Sequence, residues 1–323
     1  MEKQKQSRDP VSLWKQMRSG ENATQMTVFC VFVVMFIVFS FIAPNFLTVN
    51  NIMNALRQNS ALFLIACGQT YVIMLGGIDL SQGYLVGLCS VVSAYTMLRF
   101  GFVPGLIAGV LVAVACGAIT GTIITRGGVQ PFIAALGMNF AIYGVNLLIS
   151  GGNPIYGLPE AVSVLGSGTI LGIPDALILA AIVGVIIHIL LKKSTFGRGM
   201  YAVGGNSRAA FLSGISPKMT IFLAWLINGL LVGLGAMILM SRVGSGQPAL
   251  GGTETQMQSI AAAVVGGNSF DGGKGSISAT LVGVLFIGFL INGLNLLGLN
   301  TFVREVIMGI VIIASVVRKT KAA

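Results

Sequence analysis

The sequence predicts an all-α polytopic membrane protein of about ten transmembrane helices, and three observations carry that prediction. Hydrophobic residues make up 55% of the 323 positions and charged residues 9%, where an ordinary soluble domain carries roughly 25% charged; the mean hydropathy is +0.91. The apolar residues fall in runs near the roughly 20 residues that cross a bilayer as a helix, so the length describes one bundle rather than two soluble domains. The basic residues gather at the ends of those runs: Lys3, Lys5, Arg8, Lys15 and Arg18, then Lys192, Lys193, Arg198, Arg208 and Lys218, then Arg318, Lys319 and Lys321. A formal charge of +10 raises the question of nucleic acid. This distribution is instead the mark of the positive-inside rule, which makes the lipid bilayer the partner and nucleic acid not one.

In chain order, residues 1–24 are polar and form a cytoplasmic N-terminal segment. The apolar run after them is long and lacks a small-residue cleavage site, so 26–43 reads as a first span and not as a signal peptide. Further runs at 61–76, 82–98, 100–125, 129–150, 176–191, 219–241, 255–267, 276–299 and 302–317 complete a transmembrane domain over 25–317, and 318–323 form a cytoplasmic tail. With the N-terminus inside, ten crossings put 15 of the 19 basic residues in the cytoplasm and leave only Arg57, Arg99, Arg242 and Arg304 outside. The 255–267 run is too short for a straight crossing and admits a re-entrant reading, but the charge count favours ten crossings.

Glycine occurs 44 times, with four-residue spacings at Gly83/Gly87, Gly105/Gly109, Gly117/Gly121 and Gly229/Gly233 that let helices approach closely; packing inside the bundle is the reading favoured over dimerisation. Cys30, Cys67, Cys89 and Cys116 lie in apolar runs without metal-ligand spacing and read as packing.

Two glycine-rich breaks interrupt the runs, LGGIDLSQG at 75–83 and VVGGNSFDGGKGS at 264–276. In the first, Asp79 is placed as an N-cap with Gln82 completing a capping box, and Ser81 belongs to the same break. In the second, Asp271 and Ser276 are candidate caps and Lys274 stands where it can pair with Asp271. Capping is favoured over contact with a transported molecule. GGKGS is not a phosphate-binding loop: Asn268 stands where the first glycine is required and Gly275 where the hydroxyl is required, and no strand precedes it. The single histidine, His188, has no catalytic or metal-binding partner set and reads as an interhelical or interfacial residue. Of the nine acidic residues, Glu160, Asp175, Glu254 and Glu305 fall at outer ends of spans and only Asp79 and Asp271 near inner ends, which supplies no proton relay. The chain is read as not an enzyme, with no cofactor, so energy for any transport comes from outside it.

Between the sixth and seventh runs stands YAVGGNSRAAFLSGISPK, 201–218. Asn206 is a good N-cap, 207–212 contains no breaker, and Gly214 can take the left-handed conformation that closes a helix. A two-turn helix does not stand alone in water. Placed in the cytoplasm with Phe211 and Leu212 on one side, it is suited to the groove of a soluble partner.

YAVGGNSRAAFLSGI, together with GGIDLSQG, SRVGSGQPALGG, IAAAVVGGNSFDGGKGS and INGLNLLGLN, resembles the permease subunit of bacterial monosaccharide ABC importers of the ribose, xylose and galactose type, over about 44–317. The resemblance implies an ABC importer permease bundle in the bacterial inner membrane, working by alternating access. Its implied partners are a second permease chain (the same or paralogous), a cytoplasmic ATPase subunit and a periplasmic sugar-binding protein. It makes 201–218 the coupling segment toward the ATPase, with Gly204, Gly205, Asn206, Arg208, Phe211, Leu212 and Gly214. It places 241–252, with Arg242, Gln247 and Pro248, on the binding-protein side. The competing reading is a stand-alone channel or secondary carrier for a small polar solute. The charge count makes both termini cytoplasmic: a C-terminal alkaline phosphatase fusion is expected to be inactive, and an active one would overturn the ten-span count.

Overall fold

The computed structural model describes residues 21–320; the predicted N-terminal segment up to residue 20 and the last three residues of the tail lie outside the described residues. Among those described, ten helices have fifteen residues or more, one for each predicted span: α1 (Glu21–Ile42), α2 (Val49–Ile73), α3 (Gln82–Phe100), α4 (Phe102–Thr125), α5 (Pro131–Ser150), α7 (Asp175–Lys193), α10 (Pro217–Val243), α11 (Gly252–Gly266), α12 (Ile277–Leu296) and α13 (Thr301–Thr320). The short helices are α6 (Ser163–Ser167), α8 (Thr195–Gly205) and α9 (Ser207–Leu212). A two-residue hairpin, β1 (Thr169–Ile170) antiparallel to β2 (Ile173–Pro174), sits in the connection from α5 to α7.

Seven of the long helices, α1, α3, α4, α5, α7, α10 and α12, are long and apolar enough by themselves to cross a membrane. The others show what hydropathy misses. α2 begins at Val49, twelve residues before the predicted 61–76 run, because its first turns are polar yet bonded within the bundle. Thr48 caps it by accepting from the Asn51 amide, and the side chains of Asn51 and Asn292 exchange hydrogen bonds at 2.9 Å. α11 is only 15 residues long and is completed by an extended segment, as the site geometry shows.

α10 is the central helix, and glycine sets how close its neighbours come. A Cβ on Gly117 of α4 would overlap the Trp225 carbonyl, and one on Gly229 of α10 would overlap the Ala113 carbonyl. Gly83 and Gly87 of α3 meet the backbone of Gly252 and Pro248 in the same way. The predicted four-residue glycine spacings therefore serve contacts within the chain, where van der Waals packing replaces the missing hydrophobic drive. A cluster of rings, Phe36 and Phe39 of α1, Phe46 in the turn from α1 to α2, and Phe289 of α12, with centroids 5.0–6.1 Å apart, ties α1 to the bundle. The outer surfaces of α4, α5 and α7 are apolar, with Phe140 and Leu148 of α5 at 67% and 85% exposure, which is a lipid-facing surface. Gly229→Leu is expected to destabilise the purified protein by about 1–3 kcal/mol through overpacking, read as a lowered thermal transition in detergent, whereas Gly137→Ala on α5, with nothing within 4 Å of the new methyl, leaves it unchanged. Equal transitions for Gly229→Leu and the parent would contradict the close α4–α10 contact.

Candidate functional site

Two helices begin inside the bundle. After α2 ends, the chain turns through Gly76 (φ +75°) and runs back along α2, so that the Gln82 side chain at the start of α3 donates to the Ile65 carbonyl at 3.3 Å. Ile65 lies eight residues before the end of α2, about 12 Å up the helix. From the other end, α10 stops at Gly244 (φ +66°) and the chain descends beside α3. Gly246 pairs with Ile155, the Gln247 backbone exchanges hydrogen bonds with the Ser90 hydroxyl at 3.1 and 3.0 Å, and the Pro248 carbonyl accepts from Asn146 Nδ2 at 2.7 Å. α11 then starts at Gly252 against Gly83, and Ala263 and Val264 near its other end cluster with Ile73 at the end of α2. Irregular backbone at membrane depth is stable only where protein groups satisfy it, and broken helices of this kind are a transporter feature.

Where the two starts meet, the polar side chains are closed on one another. Asp79 (1% exposed) accepts from the Ser81 amide at 2.8 Å and the Ser81 hydroxyl at 2.6 Å through one oxygen, and from Asn228 Nδ2 at 2.6 Å through the other. Gln82 donates to Asn228 Oδ1 at 2.7 Å and accepts from the Ser259 hydroxyl at 2.7 Å. In the orientation its neighbours demand, the Gln69 amide accepts from the Asp79 amide at 3.1 Å and donates to Gln82 Oε1 at 3.1 Å. The knot joins α2, α3, α10 and α11. Its carboxylate is compensated by donors instead of a cation, and among the described residues no group of three metal-ligating side chains forms.

This corrects the predicted capping box. Ser81, not Asp79, occupies the N-cap of α3, without a side-chain cap bond; Asp79 lies in the extended lead-in, and Gln82 turns across to α10 and α11. Asp79 holds the neighbouring Ser81 and reaches across to Asn228, and Gln82 reaches Asn228 and Ser259, so neither side chain caps α3. Gln69, Asn228 and Ser259 escape a reading based on charges; their signal is an uncharged amide or hydroxyl in the middle of an apolar run.

The second break is organised by Asn268, fully buried. Its Nδ2 donates to the Ala263 carbonyl at 2.7 Å and Thr280 Oγ1 at 2.9 Å, and its Oδ1 accepts from the Ser276 amide at 2.8 Å. Thr70 and Thr280 share a 2.6 Å bond that fastens α2 to α12. Ser276 caps α12, accepting from the Ala279 amide at 3.1 Å. Asp271 caps no helix: it is exposed and takes the Ser269 hydroxyl at 3.2 Å, in place of the predicted pairing with Lys274.

The 201–218 stretch contains the predicted short helix as α9. Asn206 Oδ1 accepts from the Ala209 amide at 2.9 Å, and Gly214 (φ +81°) closes it, with Ile215 N–H donating to the Ala210 carbonyl at 3.0 Å in a Schellman arrangement. Gly205, Arg208, Phe211 and Leu212 are all exposed, the last two at 61% and 76%. α9 follows a second helix that the sequence did not announce, α8, which sits on the bundle. Tyr201 OH donates to the Gly275 carbonyl at 2.8 Å, Phe196 stacks on Tyr71 at 6.2 Å, and Gly204 lies against Met74 and Gly273, which are themselves joined by a 2.8 Å hydrogen bond.

On the other side, Arg242 is exposed, Gln247 half-buried and Pro248 buried against Gly87, so Pro248 is a packing residue of the descending segment and not a surface residue. Glu254 also moves from its predicted place at an outer end: two residues into α11, it lies at mid-depth of the bundle. His188 lines an apolar crevice of about 430 Å³ between α2, α7 and α12.

Asn228→Asp sets a second carboxylate against Asp79 and is expected to cost about 3 kcal/mol or more, whereas adding Asp79→Asn to it restores one carboxylate and one amide and recovers most of the loss. Thermal unfolding in detergent measures both. A single variant as stable as the parent, or a double variant no better than the single, would remove this contact as a structural constraint.

Comparison with known proteins agrees with this architecture. The family model described as branched-chain amino acid transport system / permease component matches residues 51–316. The chain is 42% identical over 292 residues to the ribose import permease protein of Bacillus subtilis (strain 168), covering 89% of this chain and 90% of that one. It is 38% identical over 291 residues to the D-allose transport system permease protein of Escherichia coli (strain K12), covering 89% of each. It is 33% identical over 294 residues to the galactose/methyl galactoside import permease protein of Haemophilus influenzae, covering 84% and 87%. No solved structure matches. A match over that much of the chain, on a helical bundle with two interrupted crossings, establishes that the protein belongs to the family of branched-chain amino acid transport system / permease components.

Proposed function

We propose that this chain is the membrane-spanning permease subunit of an ATP-driven monosaccharide importer. It sits in the bacterial inner membrane with both termini in the cytoplasm and works with a second permease chain, an ATPase subunit and a periplasmic sugar-binding protein. Its relatives named above are import or transport permeases for ribose, D-allose and galactose, which sets the substrate class. The sequence carries no phosphate-binding loop, so hydrolysis belongs to the partner.

The observation that carries the reading is the connection of α8 and α9 to both interrupted crossings. α9 offers Phe211 and Leu212 to a partner groove, while α8 rests on a junction where three backbones meet: Met74 at the end of α2, Gly204 of α8, and Gly273 of the second break. A Cβ on Gly204 would overlap the Met74 carbonyl and stand 2.5 Å from the Gly273 nitrogen. No side chain at that contact can absorb a push by changing rotamer. A displacement of α8–α9 by the ATPase therefore reaches the lead-in to α3 and the loop leaving α11 together, and α3 and α11 respond as a pair. The outer side, where Arg242 is exposed, receives the sugar-binding protein.

Phe211→Asp places an unpaired carboxylate on the docking face, and Gly214→Val puts a β-branched residue at φ +81°, strained by about 1–3 kcal/mol. Both variants are expected to reach the membrane and to co-purify with markedly less ATPase subunit, or to leave its hydrolysis unresponsive to the loaded binding protein. Normal recovery and normal stimulation in both would make the segment a linker. Solute movement by this chain alone in vesicles without ATP would favour the carrier reading.

A further inference from the structure

Glu254 occupies a place where a charge is costly. Ile73, Ala263 and Val264 cluster at the inner end of the bundle, and Glu254 lies nine residues up α11 from Ala263, about 14 Å at the helical rise. A second set of contacts gives the same depth. Gly252 and Gln256 on either side of it lie against Gly83, Ser259 reaches Gln82, and Gln82 reaches Ile65 near the middle of α2. At that level Thr253 and Glu254 are exposed, and Gln258 Nε2 donates to Glu254 Oε1 at 2.9 Å. The neighbouring level of α3 and α5 carries a tyrosine pair, Tyr84 and Tyr143, with centroids 4.5 Å apart and Tyr143 40% exposed. Tyr84 and Leu250 belong to one cluster, which joins the rings to the segment leading into α11.

A carboxylate facing hydrocarbon at mid-depth is disfavoured by about 2.5–3.5 kcal/mol even on the mildest scale, and such residues face water-filled cavities or one another. The lipid-facing surface of α5 shows the contrast, with Phe140 and Leu148. We propose that Thr253, Glu254 and Gln258 line the solute pathway and bind the hydroxyl groups of the passing sugar, with Glu254 the residue that discriminates among hydroxyl arrangements. A carboxylate accepts from two vicinal hydroxyls at once, and the amide and hydroxyl beside it donate and accept in turn. The interrupted crossing is what delivers this group: a continuous helix through the same depth would need apolar residues there, whereas a half-helix beginning at Gly252 brings a polar first turn to the middle of the bundle. The proposal rests on the importer reading and adds the site where the cargo touches this chain.

Two measurements on the assembled transporter test it, in a Cys30→Ser background. Glu254→Cys and Thr253→Cys are expected to react with a charged, membrane-impermeant methanethiosulfonate, while Leu148→Cys on α5 stays inert, because only a wetted thiol ionises and reacts. Glu254→Gln and Glu254→Asp are expected to keep ATPase recovery and to change the relative uptake of D-ribose, D-allose and D-galactose by about tenfold, where a general loss of folding would lower all three alike. Cysteines at 253 and 254 as inert as that at 148 would mean that this face is covered by lipid or by the second chain, and unchanged sugar preference in both Glu254 variants would remove the recognition role; either result overturns the proposal. A parent complex that takes up none of the three sugars, with reactive thiols at 253 and 254, overturns the sugar assignment and leaves the wetted face standing.

Discussion

Everything in this fold depends on satisfying a buried carboxylate and the ends of two helices without water. The Asp79 side chain, held by Ser81 and Asn228, fixes the extended lead-in to α3, and the same Asn228 passes the bonding on to Gln82 and, through it, to Ser259 of α11. Unmade hydrogen bonds in a bilayer cost several kcal/mol each, so the four helices have one arrangement in which the knot is complete. A polar network of this kind is worth more as a specification of geometry than as net stability, because its members exchange one set of partners for another.

The glycines make the knot geometrically accessible. Side chains as short as those of Asp79, Asn228 and Ser259 reach one another only if the backbones of α3, α10 and α11 come close. Gly83 of α3 against Gly252 of α11 and Gly68 of α2 against Asn228 of α10 provide that approach among the helices of the knot. The same device recurs where α2 ends: Gly204, Gly272 and Gly273 bring α8 to it, and φ of +77° and +68° at the last two demands glycine on conformational grounds as well. Close approach is therefore paired with polar bonding at the middle of the bundle and with backbone bonding where α2 ends.

The sequence made the class, the ten long helices and the short capped helix legible because each rests on a local signal: an apolar run of bilayer length, a cap residue, a left-handed glycine. It was less informative wherever a residue is claimed by something distant. The first turns of α2 look like a loop because Asn51 and Arg57 are polar, yet Asn51 is bonded to Asn292, 241 positions away. Asp79 and Gln82 have the spacing of a capping box, but Asp79 bonds Ser81 and Asn228, and Gln82 bonds Asn228 and Ser259, instead of capping α3. α8 has four glycines among eleven residues, a composition that argues against a helix in isolation, and it is held by Tyr201, Phe196 and the Met74–Gly273 contact. Local rules fail here at the points where chain segments far apart in sequence are brought together.

That pattern has a consequence for how the molecule works. A straight bundle of ten apolar helices would have no polar surface at its centre and, on the proposed importer reading, no means of passing a push from one end to it. Interrupting two crossings supplies both features at once. The half-helix α11 carries Glu254 and Gln258 to mid-depth on one side while its far end feeds the loop that Asn268 pins to α2 and α12. The lead-in to α3 runs from the Met74 junction to the knot. α3 and α11 share the knot at their beginnings and are tied to the Met74–Gly273 junction by the segments before α3 and after α11, so on the proposed reading a displacement of the junction would be felt by both. Packed interfaces hold discrete arrangements rather than deforming continuously, so on that reading such a displacement would act on the polar face at the centre as a change of state.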